Sequence, residues 1–218
     1  PDIGEYQNNG LSQMQEPFFL ETCILDGETV LAKEISRINM KTEREIDSEK
    51  KDRNSTSSLN SKTITQQISL SGIQPWSPNS PKLYTVVSRV SYNGILVDCV
   101  QTKFGIRTVR FDKDNGFFLN GEHFAILGAN VHQDHAGWAD AVTRAGIRRD
   151  IRMIKECGMN TIRGSHYPHH PYFAQVCDEE GILFWSEMCF WGRQSRPKND
   201  SKAFRRCGGE TLRGFLTS

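Results

Sequence analysis

The stretch NTIRGSHYPHHPYFAQVCDEEGILFW, residues 160–185, places a helical pattern between two short apolar runs. The first run, Met159–Arg163, predicts a strand, and the second, Ile182–Trp185, predicts another. Between them, Pro171 is suited to open a helix and Gly181 to end it. The apolar face of that helix is formed by Phe173, Val176 and Cys177. The stretch therefore predicts a strand, a helix and a second strand in direct succession.

The same alternation begins further upstream. Phe124–Leu127 predicts an earlier strand, and Arg144–Cys157 predicts a helix with Thr143 as its N-cap and Gly158 as its stop. The isoleucines of this helix recur at i, i+4 and i+7, as Ile147, Ile151 and Ile154. Three strands joined by two helices predict two consecutive right-handed crossovers, which require a parallel sheet.

Polar side chains follow all three predicted strands. In parallel α/β architectures, the loops that leave the carboxyl ends of the strands build the functional site. The side chains in these positions are Asn130, His132, Gln133, Asp134 and His135 after the first strand, Arg163, Ser165, His166 and Tyr167 after the second, and Ser186, Glu187 and Trp191 after the third. We therefore expect a carboxamide, imidazoles, a guanidinium, a carboxylate and an indole to converge on one region.

Before residue 110, short runs alternate polar residues with β-branched and aromatic ones, which is typical of strands. These runs are FFLETCIL at 18–25, KTITQQISL at 62–70, KLYTVVSRVSY at 82–92 and GILVDCVQTKFGIRTV from 94 onward. Turn signals separate them, and Asn93-Gly94 is typical of a type I′ hairpin, while Asp26-Gly27 marks another turn. The pattern predicts a small antiparallel sandwich.

The two patterns divide the chain into three parts. Residues 1–110 form the predicted sandwich, in which the polar segment 41–63 is expected to be a solvated, mobile loop. Residues 111–192 form the predicted α/β part. Residues 193–218 are basic and lack periodicity, so they are expected to form an irregular tail.

Composition argues against several classes of protein. The 27 Lys and Arg residues balance 26 acidic ones without a long basic face, so neither nucleic acid nor an anionic membrane is an expected partner. No apolar run approaches the roughly 20 residues of a membrane span. The first residues lack the features of a secretion signal, although an exported parent could have lost one, so the compartment stays open. The six cysteines show no paired spacing and are expected to be reduced thiols.

The histidine-rich run RGSHYPHHP, residues 163–171, permits more than one interpretation. His169 and His170 are expected to be turn and helix-start residues beside Pro171. A mononuclear metal site is a weaker alternative, because the run contains no HExxH pattern. The ligands of such a site would be His132, Asp134 and His166.

Arg163 and Glu187 also permit more than one role. Arg163 directly follows a buried strand and is equally suited to bridge carboxylates inside the domain and to contact a substrate. Glu187 suits a structural or substrate-orienting role better than a catalytic one. The cysteines have no identified basic partner, so nucleophilic catalysis by a thiol is not supported.

Residues 160–185 resemble the signature segment of glycoside hydrolase family 2, the family of β-galactosidases, β-glucuronidases and β-mannosidases. The Asn-x-Ile-Arg, Ser-His-Tyr-Pro and Cys-Asp-x-x-Gly elements stand at the family's spacing. Gly164 and Ala174 depart from it, since a small hydroxyl, thiol or methyl residue and a larger apolar residue are commoner there. Further similar segments are WSPNSPKLYTV at 76–86, FGIRTVRFD at 104–112 and GFFLNGEHFAILGANVHQDH at 116–135. The runs GANVHQDHAGW and FWSEMCFWG resemble a β-galactosidase-like bacterial branch most.

The resemblance implies a multi-domain β plus α/β enzyme with a jelly-roll domain, an immunoglobulin-like β-sandwich and a (β/α)8 TIM barrel. Of these, the chain is expected to hold the sandwich and the first three barrel strands, and the longer protein the jelly roll and the remaining strands. The implied reaction is retaining hydrolysis, and the implied partner is a carbohydrate with a terminal β-linked sugar. No cofactor and no metal are expected.

The resemblance also implies roles for single residues. His132 matches the family's histidine after the first barrel strand and His166 that of the Ser-His-Tyr-Pro element, and both line the sugar subsite. The other residues of these segments that are expected at the substrate are Asn130, Asp134, Arg163, Tyr167, Glu187 and Trp191. The acid/base of the family lies in an Asn-Glu pair, with the nucleophile beyond it, and no Asn-Glu dipeptide occurs here. The chain is therefore expected to hydrolyse poorly by itself, and a non-catalytic carbohydrate-binding or complementing module is the alternative.

Overall fold

The computed structural model describes residues 17–38 and 63–188. These residues belong to two compact units. The first contains the described residues up to Ile73 together with Tyr84–Phe104, and the second contains Gln74–Leu83 and the described residues from Gly105 onward. Trp191, the predicted tail 193–218 and nearly all of the predicted loop 41–63 lie outside the described residues.

The first unit contains a four-stranded antiparallel sheet. Its strands are β1 (Phe18–Asp26), β2 (Thr29–Ile38), β3 (Tyr84–Tyr92) and β4 (Ile95–Phe104), in the order β2-β1-β3-β4. Among the described residues of this unit, it is the only sheet, so the second layer of the predicted sandwich is not seen in this part of the chain.

The turn predicted at Asp26-Gly27 and the hairpin turn predicted at Asn93-Gly94 are both confirmed. Gly27 lies in the turn between β1 and β2 with φ of 59°. Asn93 and Gly94 join β3 to β4 with φ of 52° and 76°, and two positive φ values in succession are what a type I′ turn requires. Asparagine and glycine tolerate this backbone region better than other residues, which explains why the dipeptide is a reliable turn signal.

The predicted strand at 62–70 is wrong, because its described residues form no strand. β1 is already paired on both sides, with β2 and β3, so it offers no free edge to this segment. Instead, the Gln66 side chain donates from Nε2 to the Leu20 carbonyl at 3.2 Å and to Ser36 Oγ at 3.0 Å. The segment is therefore attached to the sheet through a side chain and not through a backbone ladder.

The second unit opens with a small antiparallel sheet of β5 (Val109–Asp112), β6 (Gly116–Leu119) and β7 (Glu122–His123). It continues with a three-stranded sheet in which every pair is parallel, as predicted. Its strands are β8 (Gly128–Val131), β9 (Thr161–Gly164) and β10 (Leu183–Ser186), in the order β10-β9-β8.

The predicted position of the first parallel strand is wrong, because Phe124–Leu127 is not a strand and β8 follows it directly. Here the Asn160 side chain makes the hydrogen bonds that a neighbouring strand would otherwise make to this segment. Its Nδ2 donates to the Ala125 carbonyl at 2.9 Å, and its Oδ1 accepts from the Leu127 amide at 3.0 Å. Regular pairing therefore starts one residue after Leu127, at the partners Gly128 and Thr161.

Two helices connect the parallel strands, as predicted: α1 (Arg144–Glu156) and α2 (Pro171–Glu180). Thr143 caps α1, since its hydroxyl accepts from the Gly146 amide at 3.1 Å. His170 caps α2 by accepting from the Tyr172 amide at 3.1 Å. Neither of these helices is long and apolar enough to cross a membrane.

The two faces of the parallel sheet pack against different groups. The middle residue of β9, Ile162, is fully buried against the apolar faces of both helices. The buried residues of this cluster are Ile147, Ile151, Ile162, Phe173, Val176, Cys177 and Ile182. On the opposite face, Leu183 packs with Trp76, Phe117 and Leu119. Each large apolar side chain buried in this way contributes about 1.5–3 kcal/mol.

The buried thiol of Cys177 is consistent with the expected chemistry of the cysteines. Burial raises the pKa of this thiol well above its ordinary value, so it stays protonated at neutral pH. All four cysteines in the described part of the chain are free thiols, namely Cys23, Cys99, Cys157 and Cys177. The expectation of reduced cysteines is confirmed for these four.

The turn after α2 yields the first prediction. Gly158 and Gly181 both have positive φ, at 80° and 76°. An added Cβ would meet nothing within 4 Å at Gly158, whereas at Gly181 it would lie 2.4 Å from the Pro78 carbonyl oxygen. Gly158→Ala should cost about 1 kcal/mol of unfolding free energy from backbone strain alone. Gly181→Ala should cost about 1–3 kcal/mol more, because Pro78 must also move. Urea unfolding of the two variants measures the difference, and equal costs would contradict the close contact.

Candidate functional site

The register of the parallel sheet aligns the polar residues on one face. Asn130 in β8 and Trp185 in β10 are both Cα partners of Arg163 in β9. Paired residues of neighbouring strands point to the same side, and Glu187 follows Trp185 by two residues, which returns it to that side. The expected convergence at the carboxyl ends of the strands is thereby met for Asn130, Arg163 and Glu187.

Arg163 bonds to groups from all three strand ends. Its Nε lies 2.7 Å from Glu187 Oε1 and its Nη2 3.0 Å from Glu187 Oε2, a bidentate ion pair. Its Nη1 donates to Asn130 Oδ1 at 3.1 Å. His166 completes the group, since its Nδ1 lies 3.2 Å from Arg163 Nη2 and 3.3 Å from Glu187 Oε2. We call these four residues the Arg163 cluster.

Glu187 is an ionised carboxylate in this cluster. The hydrogen-bonded guanidinium of Arg163, assisted by His166, holds the pKa of Glu187 below its ordinary value, and partial burial opposes that shift only in part. A carboxyl group in this state is an acceptor for hydrogen bonds and a poor proton donor at neutral pH. The geometry therefore agrees with an orienting role for Glu187. Arg163 pairs with a carboxylate, as the first of its two predicted roles requires.

A second group of rings adjoins the Arg163 cluster. The His132 ring lies 5.6 Å from the His166 ring, edge to face, and 6.1 Å from the Tyr167 ring. The Tyr167 hydroxyl accepts from the Gln133 amide at 3.0 Å, and Gln133 Oε1 accepts from the His170 amide at 2.5 Å. The loops after β8 and β9 are therefore joined to each other at the residues that carry these rings.

Two of the predicted site residues are placed elsewhere. His135 is directed to α1, where its Nε2 lies 2.5 Å from Asp150 Oδ2. Asp134 is exposed, and within the described part of the chain it makes no hydrogen bond to the Arg163 cluster. Between residues 17 and 38 and between 63 and 188, no three histidine, cysteine or carboxylate side chains are grouped so that they could hold a metal ion. The predicted contact of Trp191 falls outside the described residues.

Two features of the site were not predicted. Trp185 stands beside Arg163 on the same face and is 54% exposed. Because alternate residues of a strand point to the same side, its position two residues before Glu187 could have indicated this. His169 is buried, with 5% of its surface exposed, and is not the turn residue expected from its neighbours. Its burial depends on Phe173 and Phe184, which come from other elements, so the local sequence carries no signal for it.

These features define a parallel α/β unit with a charged and aromatic site at the carboxyl ends of its strands. Two family models match the chain in succession: "Glycosyl hydrolases family 2" over residues 24–107 and "Glycosyl hydrolases family 2, TIM barrel domain" over residues 110–205. The chain belongs to glycoside hydrolase family 2.

Individual relatives agree with this assignment. The chain is 37% identical over 131 residues to a β-galactosidase of Thermoanaerobacter pseudethanolicus, a match that covers 60% of the chain and 18% of that protein. It is 29% identical over 199 residues to a β-glucuronidase of Bacteroides fragilis, covering 88% of the chain and 26% of that protein. The solved structure of β-glucuronidase 3 of Bacteroides uniformis matches with a TM-score of 0.61 and 28% identity, covering 83% of the chain and 20% of that structure. The chain thus spans about a quarter or less of the length of these proteins.

The ion pair yields the second prediction. Arg163→Met removes the guanidinium while keeping much of the apolar stem, so the pKa of Glu187 should rise toward its ordinary value. Carboxyl carbon shifts of glutamate, followed by NMR as pH is lowered, measure this pKa, and Glu187→Gln identifies the signal. Arg110→Met is a matched control, because Arg110 pairs with Asp112 and not with Glu187. An unchanged Glu187 titration in Arg163→Met would contradict the assigned cause.

Proposed function

We propose that the chain contributes the sugar-binding corner of a retaining glycosidase that acts on terminal β-linked sugars and is β-galactosidase-like. In this proposal the first unit belongs to the immunoglobulin-like sandwich, residues 1–110, and residues 111–192 are the start of the TIM barrel. The observation that carries the proposal is the Arg163 cluster together with the adjoining ring of His132. They set an ionised carboxylate and two histidine rings beside each other at the carboxyl edge of the parallel sheet.

The residue types of this edge suit a pyranose ring. Ionised Glu187 and the Asn130 carboxamide accept hydrogen bonds from sugar hydroxyls, while Arg163 and the histidine nitrogens can donate to them. The flat indole of Trp185, exposed on the same face, offers an apolar surface of the kind that packs against sugar C–H groups. The remaining proposed contacts, Asp134, Tyr167 and Trp191, rest on the family resemblance and on their positions in the same loops.

The cluster supports binding better than bond cleavage. Retaining hydrolysis needs two carboxyl groups about 5 Å apart, one as acid/base and the other as nucleophile. The pKa of Glu187 is lowered by Arg163, which is the opposite of what a general acid requires. Since no Asn-Glu dipeptide occurs in the chain, we infer that both catalytic carboxylates are supplied by residues outside these 218.

A non-catalytic role is the second candidate. The absence of an Asn-Glu dipeptide from a chain that carries the proposed sugar-binding corner favours a carbohydrate-binding or complementing module. The DNA that flanks the coding region distinguishes the two candidates. An Asn-Glu motif followed by further strand and helix patterns would favour the glycosidase, and their absence would favour the module.

The third prediction concerns hydrolysis. The purified 218-residue chain should cleave 4-nitrophenyl β-galactoside and β-glucuronide at a rate on the order of 10⁴-fold or more below that of a complete family member, since the proton donor and the nucleophile are both missing. Release of 4-nitrophenol measures the rate, and His166→Ala is the matched variant. Fast turnover that His166→Ala abolishes would contradict the proposal.

A further inference from the structure

His169 is buried in an aromatic pocket that adjoins the proposed sugar-binding corner through Tyr167. Its ring is stacked on that of Tyr167, with centroids 5.3 Å apart and planes 18° from parallel. Phe173 of α2 and Phe184 of β10 close the pocket at 4.9 Å and 5.8 Å from the same ring. Three aromatic neighbours hold the imidazole in one orientation, which a solvated turn residue would not have.

Gly164 makes the room for this ring. An added Cβ there would lie 2.6 Å from His169 Nδ1 and 2.7 Å from Phe184 Cε2, so any larger residue at this position would displace the imidazole or the phenyl ring. This gives a physical reason for the glycine at a position where the sequence departs from the pattern it otherwise resembles. Gly164 and His169 are thus matched in size.

Tyr167 transmits the position of this ring to the corner. Its hydroxyl accepts a hydrogen bond from the backbone N–H of Gln133, and its ring contacts His132. The His169 Nδ1 also lies 3.2 Å from the Tyr167 carbonyl, so the imidazole contacts both the ring and the backbone of this residue. A shift of His169 would therefore move Tyr167 and release the loop after β8, which begins with His132.

We propose that His169, seated against Gly164, is a positioning residue that holds Tyr167 and, through it, the loop carrying His132. The inference rests on the proposed function insofar as that loop lines a sugar site. The placement itself is a property of the chain without sugar.

The position should depend on the charge of the imidazole. Burial lowers the pKa of His169 below its ordinary value, His132 adds to this shift, and the Tyr167 and Val131 carbonyls oppose it. Apart from Tyr167, the residues packed on the ring from β9, α2 and β10 are Gly164, Phe173 and Phe184, which carry no charge. The neutral ring thus stabilises the fold above the unfolded-state pKa of about 6.5, and this contribution is lost as pH falls through the lower folded-state pKa.

The fourth prediction is tested by amide hydrogen exchange of the 218-residue chain, measured by NMR without sugar. His169→Ala should reduce the protection factor of the Gln133 amide by about tenfold or more, as should Tyr167→Phe, which removes the acceptor directly. The double variant should be no worse than Tyr167→Phe, because both changes break the same bond. His123→Ala is the matched control, because His123 is exposed in β7, and it should leave Gln133 unchanged. Retained protection of Gln133 in His169→Ala, with Tyr167→Phe losing it, would overturn the proposal.

If His169→Ala does not fold, the backbone amide of the buried residue Ile151 loses its protection as well. In that case the native chain provides the decisive second measurement. On acidification, the Gln133 protection factor should fall with the same midpoint as the titration of the His169 ring, while Ile151 stays protected. A ring with a merely structural role would not couple its own titration to the protection of Gln133. Different midpoints for the two transitions would therefore overturn the proposal. Because no sugar is present, failure here leaves the proposed sugar binding untouched, and failure of sugar binding leaves this result standing.

Discussion

The bidentate ion pair between Arg163 and Glu187 is the interaction on which the organisation of the candidate site depends. Arg163 stands in the middle strand of the parallel sheet, so its guanidinium reaches Asn130 on one neighbour and Glu187 beyond the other. An ion pair at a partly exposed edge adds little to global stability, because water screens it and ordering two side chains costs entropy. Its consequence is local: it fixes the charge of Glu187 and the position of His166.

The two faces of the parallel sheet explain why this edge can be polar. The helix-facing side is filled by Ile162 and its apolar partners from both helices, which supplies the burial that stabilises the unit. The other side is covered near Leu183 by Trp76, Phe117 and Leu119, and it becomes polar toward the strand ends. Alternation along each strand thus separates the stabilising face from the face that presents functional groups. A substitution among the buried residues of either face should affect folding, whereas one at the polar strand ends should affect the proposed sugar binding.

The sequence predicted the helices and the parallel order well, because their signals are local. Thr143 and Gly181 cap their helices through contacts within a few residues, and the isoleucine spacing of α1 reports its buried side directly. The start of β8 was missed because the Asn160 side chain, 33 residues from Leu127, replaces the ladder there. The strand predicted at 62–70 failed because alternation alone does not create a backbone ladder, and there the Gln66 side chain makes the contacts to the sheet. At the site, Asn130, Arg163 and Glu187 converge as parallel topology requires, whereas His135 is diverted by Asp150 and His169 is buried by rings from two other elements.

The central claim, that the histidines beside Arg163 form a sugar-binding corner, is tested most directly by an NMR titration of the histidine-labelled chain with methyl β-galactoside and methyl β-glucuronide. Sugar binding at this corner predicts that the ring signals of His132 and His166 shift together along one saturable curve while exposed His123 does not move. It further predicts that Glu187→Gln weakens the affinity by about tenfold, since a charged acceptor is lost. Ring signals of His132 and His166 that stay fixed, or that move no more than that of His123, would contradict it.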